Sequence, residues 1–280
     1  LKSLNLAIDL TRGKPHADQL DLSNELLHGE VDFIGENGID LRNYGEPIGI
    51  IEARKLGAEL LDSKLELTMA GEQSSYLLMT QMILGRFLLG LEGREQPWRK
   101  EEEIAFLCTV PGFDRHFATL DGFGIKMLTL NLCEDGIDLQ HLQERLQENN
   151  NIKGIICVPR HSNPSGEVFT DQNITSFSKV TFGGGGLSFL TTGPDNFAML
   201  QQVRNMMVIC PDKINQKRHV NFLQNKENIQ IHMQKHATLI KPKFDLVVDK
   251  LKSLPKTCGT FTEPSGGYFV TYYASNPVAK

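Results

Sequence analysis

From about residue 50 onward, the apolar positions of this chain alternate between two periods. Helical spacing runs over residues 50–61, 74–91, 114–123 and 139–148, and between them lie short unbroken apolar runs at 65–70, 104–109, 125–130 and 152–158. A 3.6-residue period predicts helices that bury one face, and a short continuous run bounded by turn residues predicts a strand covered on both faces. Their alternation predicts an α/β fold, a mostly parallel sheet with helices on both faces. Asp138 is placed to cap the helix whose apolar stripe is Leu139, Leu142 and Leu146. A β-rich run at 187–192 follows four consecutive glycines, Gly183 to Gly186.

The pattern then changes. Pro194 opens a helix to about Met206, Pro211 opens another, a long amphipathic stretch covers 229–254, and two strand-like pieces follow at 258–261 and 267–272. Helix plus short strands predicts a smaller α+β domain, which the N-terminal segment joins. The expected division is residues 1–45 as that segment, 46–228 as a large domain, and 229–280 as a small C-terminal domain that is incomplete.

Composition narrows the function. The 280 residues carry a formal charge of −5 with no block of lysine or arginine, which gives no electrostatic footprint for nucleic acid or an anionic membrane. The five cysteines are widely spaced, with no CxxC pair and no zinc-like cluster, as expected of buried thiols in a reducing compartment. With no apolar run of membrane-spanning length and no signal-peptide pattern, the expectation is a cytoplasmic protein.

Three stretches carry candidate chemistry. Ser176-Phe177-Ser178-Lys179, followed by Val-Thr-Phe and the glycines, suits an amine that forms a Schiff base while nearby donors grip a phosphate; the plainer alternative is a surface lysine before a flexible turn. Asn163-Pro164-Ser165-Gly166 follows a buried strand, where open α/β sheets bind ligands. Gly71-Glu72-Gln73-Ser74-Ser75 joins a strand to a helix and places amides and hydroxyls at a positive helix end, which is either an anion site or a plain N-cap serine pair.

With these motifs, and with Leu10-Thr11-Arg12-Gly13-Lys14-Pro15, Arg42-Asn43-Tyr44-Gly45, Val110-Pro111-Gly112-Phe113, Pro211-Asp212-Lys213 and Gly266-Gly267-Tyr268-Phe269, the chain resembles the fold-type-I pyridoxal-phosphate aminotransferases. Within class I it is most similar to the divergent aspartate-aminotransferase-like subgroup. The resemblance implies that 46–228 is the cofactor-binding domain and that Lys179 is the Schiff-base lysine. It implies phosphate donors at Ser74, Ser75 and Ser176, a bond from Asn163 to the ring's O3′, and Phe113 stacked on the pyridine. Gly13 would line the substrate pocket, and Tyr44 would reach the phosphate of a neighbouring subunit, hence a homodimer with shared active sites. The implied reaction moves an amino group from an amino acid, aspartate as the best guess, to a 2-oxo acid. The same cofactor chemistry permits a lyase or decarboxylase. A non-catalytic sensor of the cofactor or an amino acid is a further alternative. A Rossmann-type nucleotide binder is disfavoured by the lack of a G-x-G-x-x-G after the first strand.

Two departures stand out. Leu187 occupies the position, eight residues after the lysine, where many class I members carry a phosphate-clamping arginine. And only residues 167–178 separate Gly166 from Lys179, too few for a crossover helix plus a strand. In the resembled family that interval is several times longer and carries the aspartate that pairs with the pyridine nitrogen. The spacing therefore suggests residues missing near 170–175. If they are absent through disorder, a crystal of the protein is expected to hold no cofactor.

Overall fold

The computed structural model describes residues 13–133, 136–159, 161–165 and 180–276. Two short helices, α1 (Ala17–Asp21) and α2 (Glu25–His28), lead to α3 (Ile51–Leu60), the short strand β1 (Thr68–Ala70) and α4 (Ser75–Leu88). Next come β2 (Ala105–Val110), α5 (Asp114–Gly122), β3 (Lys126–Cys133), β4 (Gly136–Ile137), α6 (Leu139–Glu148) and β5 (Ile152–Ile156). The later part holds β6 (Phe189–Thr191), α7 (Pro194–Met207), α8 (Lys213–Leu223), α9 (Lys226–Lys252) and a hairpin of β7 (Gly259–Phe261) and β8 (Tyr272–Ala274).

The expected α/β alternation is present. In a four-stranded sheet of order β4-β3-β2-β5, β2 pairs in parallel with both β3 and β5, and the short β4 closes the edge in antiparallel fashion. Ile83, Trp98, Ile104, Phe106, Leu120, Ile125 and Ile156 form the core that joins this sheet to α4 and α5. A separate antiparallel pair, β1 with β6, sits on α3, where Ala53, Leu56 and Leu60 pack with Ala70, Leu187, Phe189, Leu223 and Ile229. Burying a side chain such as Leu187 fully is worth roughly 1.5–3 kcal/mol.

Two strands differ from the pattern. Residues 65–67 form a 3₁₀ turn in place of the first half of a strand: the Leu65 carbonyl accepts both from Thr68 N–H and from the Arg54 guanidinium, at 2.8 Å from the latter. At the C-terminal end the strand begins at Tyr272, not at 267. Gly267 adopts φ of 84°, and Gly266 and Gly267 lie against the His161 side chain, which leaves no room for a pleated strand there. The expected break near 170–175 falls outside the described residues.

The N-terminal segment packs on α9 and on the chain just before β8. Gln19 Nε2 donates to the Tyr268 hydroxyl at 3.0 Å, and Ser23 Oγ lies 3.2 Å from His232 Nε2. A Cβ at Gly13 would come within 3.0 Å of both Tyr268 and Phe269, so only glycine allows this approach without displacement.

Candidate active site

The parallel pairing of β2 with β5 puts their C-terminal ends side by side, with Thr109 Oγ1 3.4 Å from the Ile156 carbonyl. The loops that leave this edge carry Phe113 after β2 and Asn163 after β5, each preceded or followed by a cis proline peptide, Val110-Pro111 and Asn163-Pro164. Phe113 supplies the first backbone position before α5, and its ring stands edge-on to His116, centroids 5.1 Å apart. Asn163 is half-buried. Thr271 Oγ1 donates to the Pro164 carbonyl at 2.8 Å, so the stretch from Gly266 to Thr271 connects this loop with Gly13.

α4 starts beside α5. Tyr76 stacks on His116 and donates its hydroxyl to the Arg115 carbonyl at 3.2 Å, with a further bond to Thr119 Oγ1. Ser74 is the N-cap, its Oγ accepting from Leu77 N at 3.3 Å. The backbone N–H groups of Ser75 and Tyr76 have no hydrogen-bond partner among the described residues. They sit at the positive end of a 14-residue helix, next to two serine hydroxyls. Burial lowers the pKa of His116, against an opposing pull from Asp114, so its ring is neutral at pH 7.

The turn before α4 is held from behind. Arg204 on α7 is fully buried; it donates from Nη2 to Glu72 Oε1 at 3.0 Å, from Nη1 to Gln81 Oε1 at 2.8 Å, and from Nε to the Pro47 carbonyl at 2.7 Å. Gln216 on α8 donates to the Gly71 carbonyl at 3.0 Å, and Ser188 Oγ donates to the Glu72 carbonyl at 2.7 Å. Neither Arg204 nor Gln216 was singled out from the sequence. The signal was present for Arg204: it continues the buried stripe of Met199, Leu200 and Val203, and an arginine in an apolar stripe requires a buried partner.

The structure thus brings Ser74, Ser75 and Phe113 into one neighbourhood, with Asn163 and Gly13 linked to it through the loop after β5. Tyr44 stands apart. The residue is 75% exposed, and its carbonyl accepts from the buried Lys213 at 3.2 Å. Lys179 and Ser176 lie outside the described residues. Leu187, where a clamping arginine was considered, is fully buried in the core. The described residues contain no cluster of His, Cys, Asp or Glu fit to hold a metal, and no helix among them is long and apolar enough to cross a membrane.

Known proteins place this geometry in context. The family model described as aspartate amino-transferase matches residues 1–175 and 170–280, two stretches that meet inside 166–179. An aspartate aminotransferase of Corynebacterium glutamicum is 33% identical, covering 97% of this chain and 76% of its own length, over 327 residues against the 280 here, so part of the relative has no counterpart. The crystal structure of an aspartate transaminase from C. glutamicum superposes with a TM-score of 0.90, covering 98% of this chain and 77% of that one at 33% identity. The fold is shared more distantly, at a TM-score of 0.72 and 17% identity, by an α-aminoadipate aminotransferase from Thermus thermophilus solved with N-(5′-phosphopyridoxyl)-L-leucine, covering 96% of this chain and 77% of that one.

Proposed function

This chain belongs to the aspartate amino-transferase family and is an aminotransferase, and we propose that it works with pyridoxal phosphate bound at the start of α4 and with Lys179 as the reactive amine. The observation that carries the cofactor site is the pair of N–H groups, Ser75 and Tyr76, without a partner among the described residues, beside two serine hydroxyls at a helix N-terminus whose approach is fixed by Arg204. These donors fit a phosphate, and the buried Arg204 offsets the charge of Glu72, the acidic group of this turn.

When bound, pyridoxal phosphate supplies an aldehyde for the lysine amine and a ring that withdraws electrons from the substrate's Cα. The chain's own groups do the rest. Ser74, Ser75 and Ser176 would hold the phosphate, Asn163 would donate to O3′, and Phe113, braced by His116, would cover one ring face. Lys179 would move the substrate's Cα proton, as general base and then acid. Gly13 lines the pocket beside Phe269.

Aspartate is the proposed donor and a 2-oxo acid the acceptor, in keeping with the names of the Corynebacterium relatives. The proposed assembly is a cytoplasmic homodimer in which Tyr44 reaches the partner's phosphate. Support comes from the exposure of Tyr44 together with that of Met206 and Ile209, which lead toward the Lys213 that holds the Tyr44 carbonyl.

The test is the visible spectrum of the protein with pyridoxal phosphate, before and after L-aspartate, with Lys179→Ala alongside. A cofactor band that depends on Lys179 and bleaches with aspartate is expected. A band unaffected by Lys179→Ala would overturn the assignment of the lysine, and one that no amino acid alters would overturn transamination.

A further inference from the structure

An exposed tyrosine is held from beneath by a buried lysine. Lys213, the first residue of α8 and part of the Pro211-Asp212-Lys213 motif, is 3% exposed, and its Nζ donates to the Tyr44 carbonyl at 3.2 Å. Among the described residues no carboxylate lies within ion-pair distance of it. Asp212 caps its own helix through Asn215 N, and Asp40 is bonded by Arg42 and feels the Lys213 charge only weakly. Burying an ammonium against one main-chain carbonyl is costly, and an apolar side chain would fill the same place at lower desolvation cost.

What that bond holds is a strap, residues 40–50. The Tyr44 N–H donates to Asn43 Oδ1 at 2.8 Å, so both main-chain groups of Tyr44 are bonded while the residue is 75% exposed. The strap is anchored at its two ends. Leu41 is buried in the core on α3, the Pro47 carbonyl accepts from Arg204 Nε at 2.7 Å, and Ile50 N donates to Gln216 Oε1 at 2.9 Å. Gly49, at φ of 94°, approaches β1 so closely that a Cβ there would lie 2.5 Å from the Ala70 carbonyl oxygen. Between these anchors the chain turns at Gly45 and Glu46, with φ of 106° and 59°. Lys213 fixes the carbonyl next to that turn; without it the Tyr44–Gly45 peptide is free to rotate and the phenol loses its aim.

We propose that Lys213 is a positioning residue for Tyr44: by fixing the carbonyl of an exposed tyrosine it aims the phenol away from its own chain, toward the phosphate bound by a second copy. This rests on the reading of Tyr44 given above. Each site of the dimer then combines Ser74 and Ser75 of one subunit with a tyrosine that the other subunit's α8 holds in place.

The test is a cycle of Tyr44→Phe, Lys213→Met and the double variant, read as the dissociation constant of pyridoxal phosphate in an absorbance titration. Each single variant is expected to weaken binding about tenfold, the size of one hydrogen bond to a charged group. The double variant is expected to weaken it about as much as either alone, because the lysine acts only through the tyrosine. Effects that multiply to about a hundredfold would overturn the positioning role, and so would wild-type affinity in Lys213→Met beside a weakened Tyr44→Phe. Wild-type affinity in Tyr44→Phe would overturn the reading of Tyr44 and the proposal with it, whereas a wild-type protein that binds no pyridoxal phosphate would overturn the cofactor site itself. A hybrid dimer of differently tagged Lys213→Met and Ser74→Ala/Ser75→Ala subunits separates the two sites. One of them has intact serines facing an intact Tyr44 and Lys213, so half of the sites are expected to regain wild-type affinity. A hybrid without such a tight site would show that Lys213 acts within its own subunit and would overturn the proposal. Should Lys213→Met not fold, Lys213→Gln, polar and one atom too short to reach the carbonyl, takes its place with the same expected outcomes.

Discussion

Replacing Arg204 with methionine removes the group that holds the turn before α4. The guanidinium makes bonds of 3.0 Å to Glu72, 2.8 Å to Gln81 and 2.7 Å to the Pro47 carbonyl, and its side chain is fully buried while that of Glu72 is 21% exposed. Methionine fills much of the aliphatic volume but leaves a carboxylate without its cation and two acceptors without donors. Breaking one side of a buried pair costs about 3–5 kcal/mol, and the partial exposure of Glu72 favours the lower end, about 3 kcal/mol. Glu72→Gln added to Arg204→Met removes the stranded charge, so the double variant is expected to regain about 1–2 kcal/mol over the single one. Urea unfolding with a shared m-value reads these differences from the midpoints. The same turn presents Ser74, Ser75 and the N–H groups of α4, so Arg204→Met should also weaken pyridoxal-phosphate binding, by about tenfold for a loss of about 1.4 kcal/mol at the site. A stability loss below about 1 kcal/mol, or a double variant less stable than the single one, would refute the reading of Arg204 as the anchor of this turn.

Three further outcomes follow from the packing and the charges. Gly85→Ala should destabilise by about 1 kcal/mol despite alanine's higher helix propensity, because a Cβ there collides with Met199 Sδ and comes within 2.9 Å of Val203 Cγ2; a raised urea midpoint would show that α7 yields freely. With a disulfide reagent near pH 8, the exposed Cys133 and Cys258 should react first, whereas Cys108, buried with its pKa pushed up to about 11, should react only on unfolding; equal rates would contradict that burial. Burial lowers the pKa of His219, His232 and His236, with Lys235 adding to the effect at His232 and the Val180 and Asn215 carbonyls and Asp212 opposing it. The folded state therefore binds fewer protons than the unfolded chain, so this stabilisation is complete above the ordinary histidine pKa of about 6.5 and is lost as pH falls toward the depressed values. The urea midpoint should fall between about pH 6.5 and 5, a window above the titration of Asp40 and Glu52, whose pKa values are lowered; a midpoint that rises on acidification would refute the assignment.

Periodicity made the elements legible where one local signal dominated. The helix at 139–148 was readable to the residue because its stripe begins directly after Asp138, whose carboxylate accepts from His141 N at 3.0 Å. The strand at 65–70 was half right, because its first carbonyl, that of Leu65, is taken by Arg54, a partner eleven residues away that no local pattern announces. The same limit applies to the site. Ser74 and Phe113 sit at strand-to-helix junctions and Asn163 follows the strand β5, where position alone suggests ligand contact. Arg204, Gln216, His219 and His232 act from helices far along the chain, and what they do is set by tertiary packing. His232 and His236 share the buried face of α9 with Ile229, at helical spacing, so their burial was readable, though the Val180 carbonyl that His232 meets was not.

The layout of these supports bears on how the site is assembled. Ser74, Ser75, Phe113 and Asn163 belong to the first of the two stretches matched by the family model, while Arg204, Gln216, Ser188 and the three histidines belong to the second. The bonds from Arg204 and Ser188 to Glu72 and from Gln216 to Gly71 join residues on either side of 166–179. The turn before α4, proposed above as the phosphate site, is therefore shaped by α7 and α8, which follow residue 179 in the chain, and Val180 is bonded by α9, which also contacts the N-terminal segment. Preorganisation of this kind comes from rigid helices outside the sheet, because a phosphate held by backbone N–H groups is held only as well as the turn that aims them. Neither stretch supplies both the donors and the groups that orient them, so a fragment ending before β6 would keep Ser74 and Ser75 and lose the geometry that makes them a binding site.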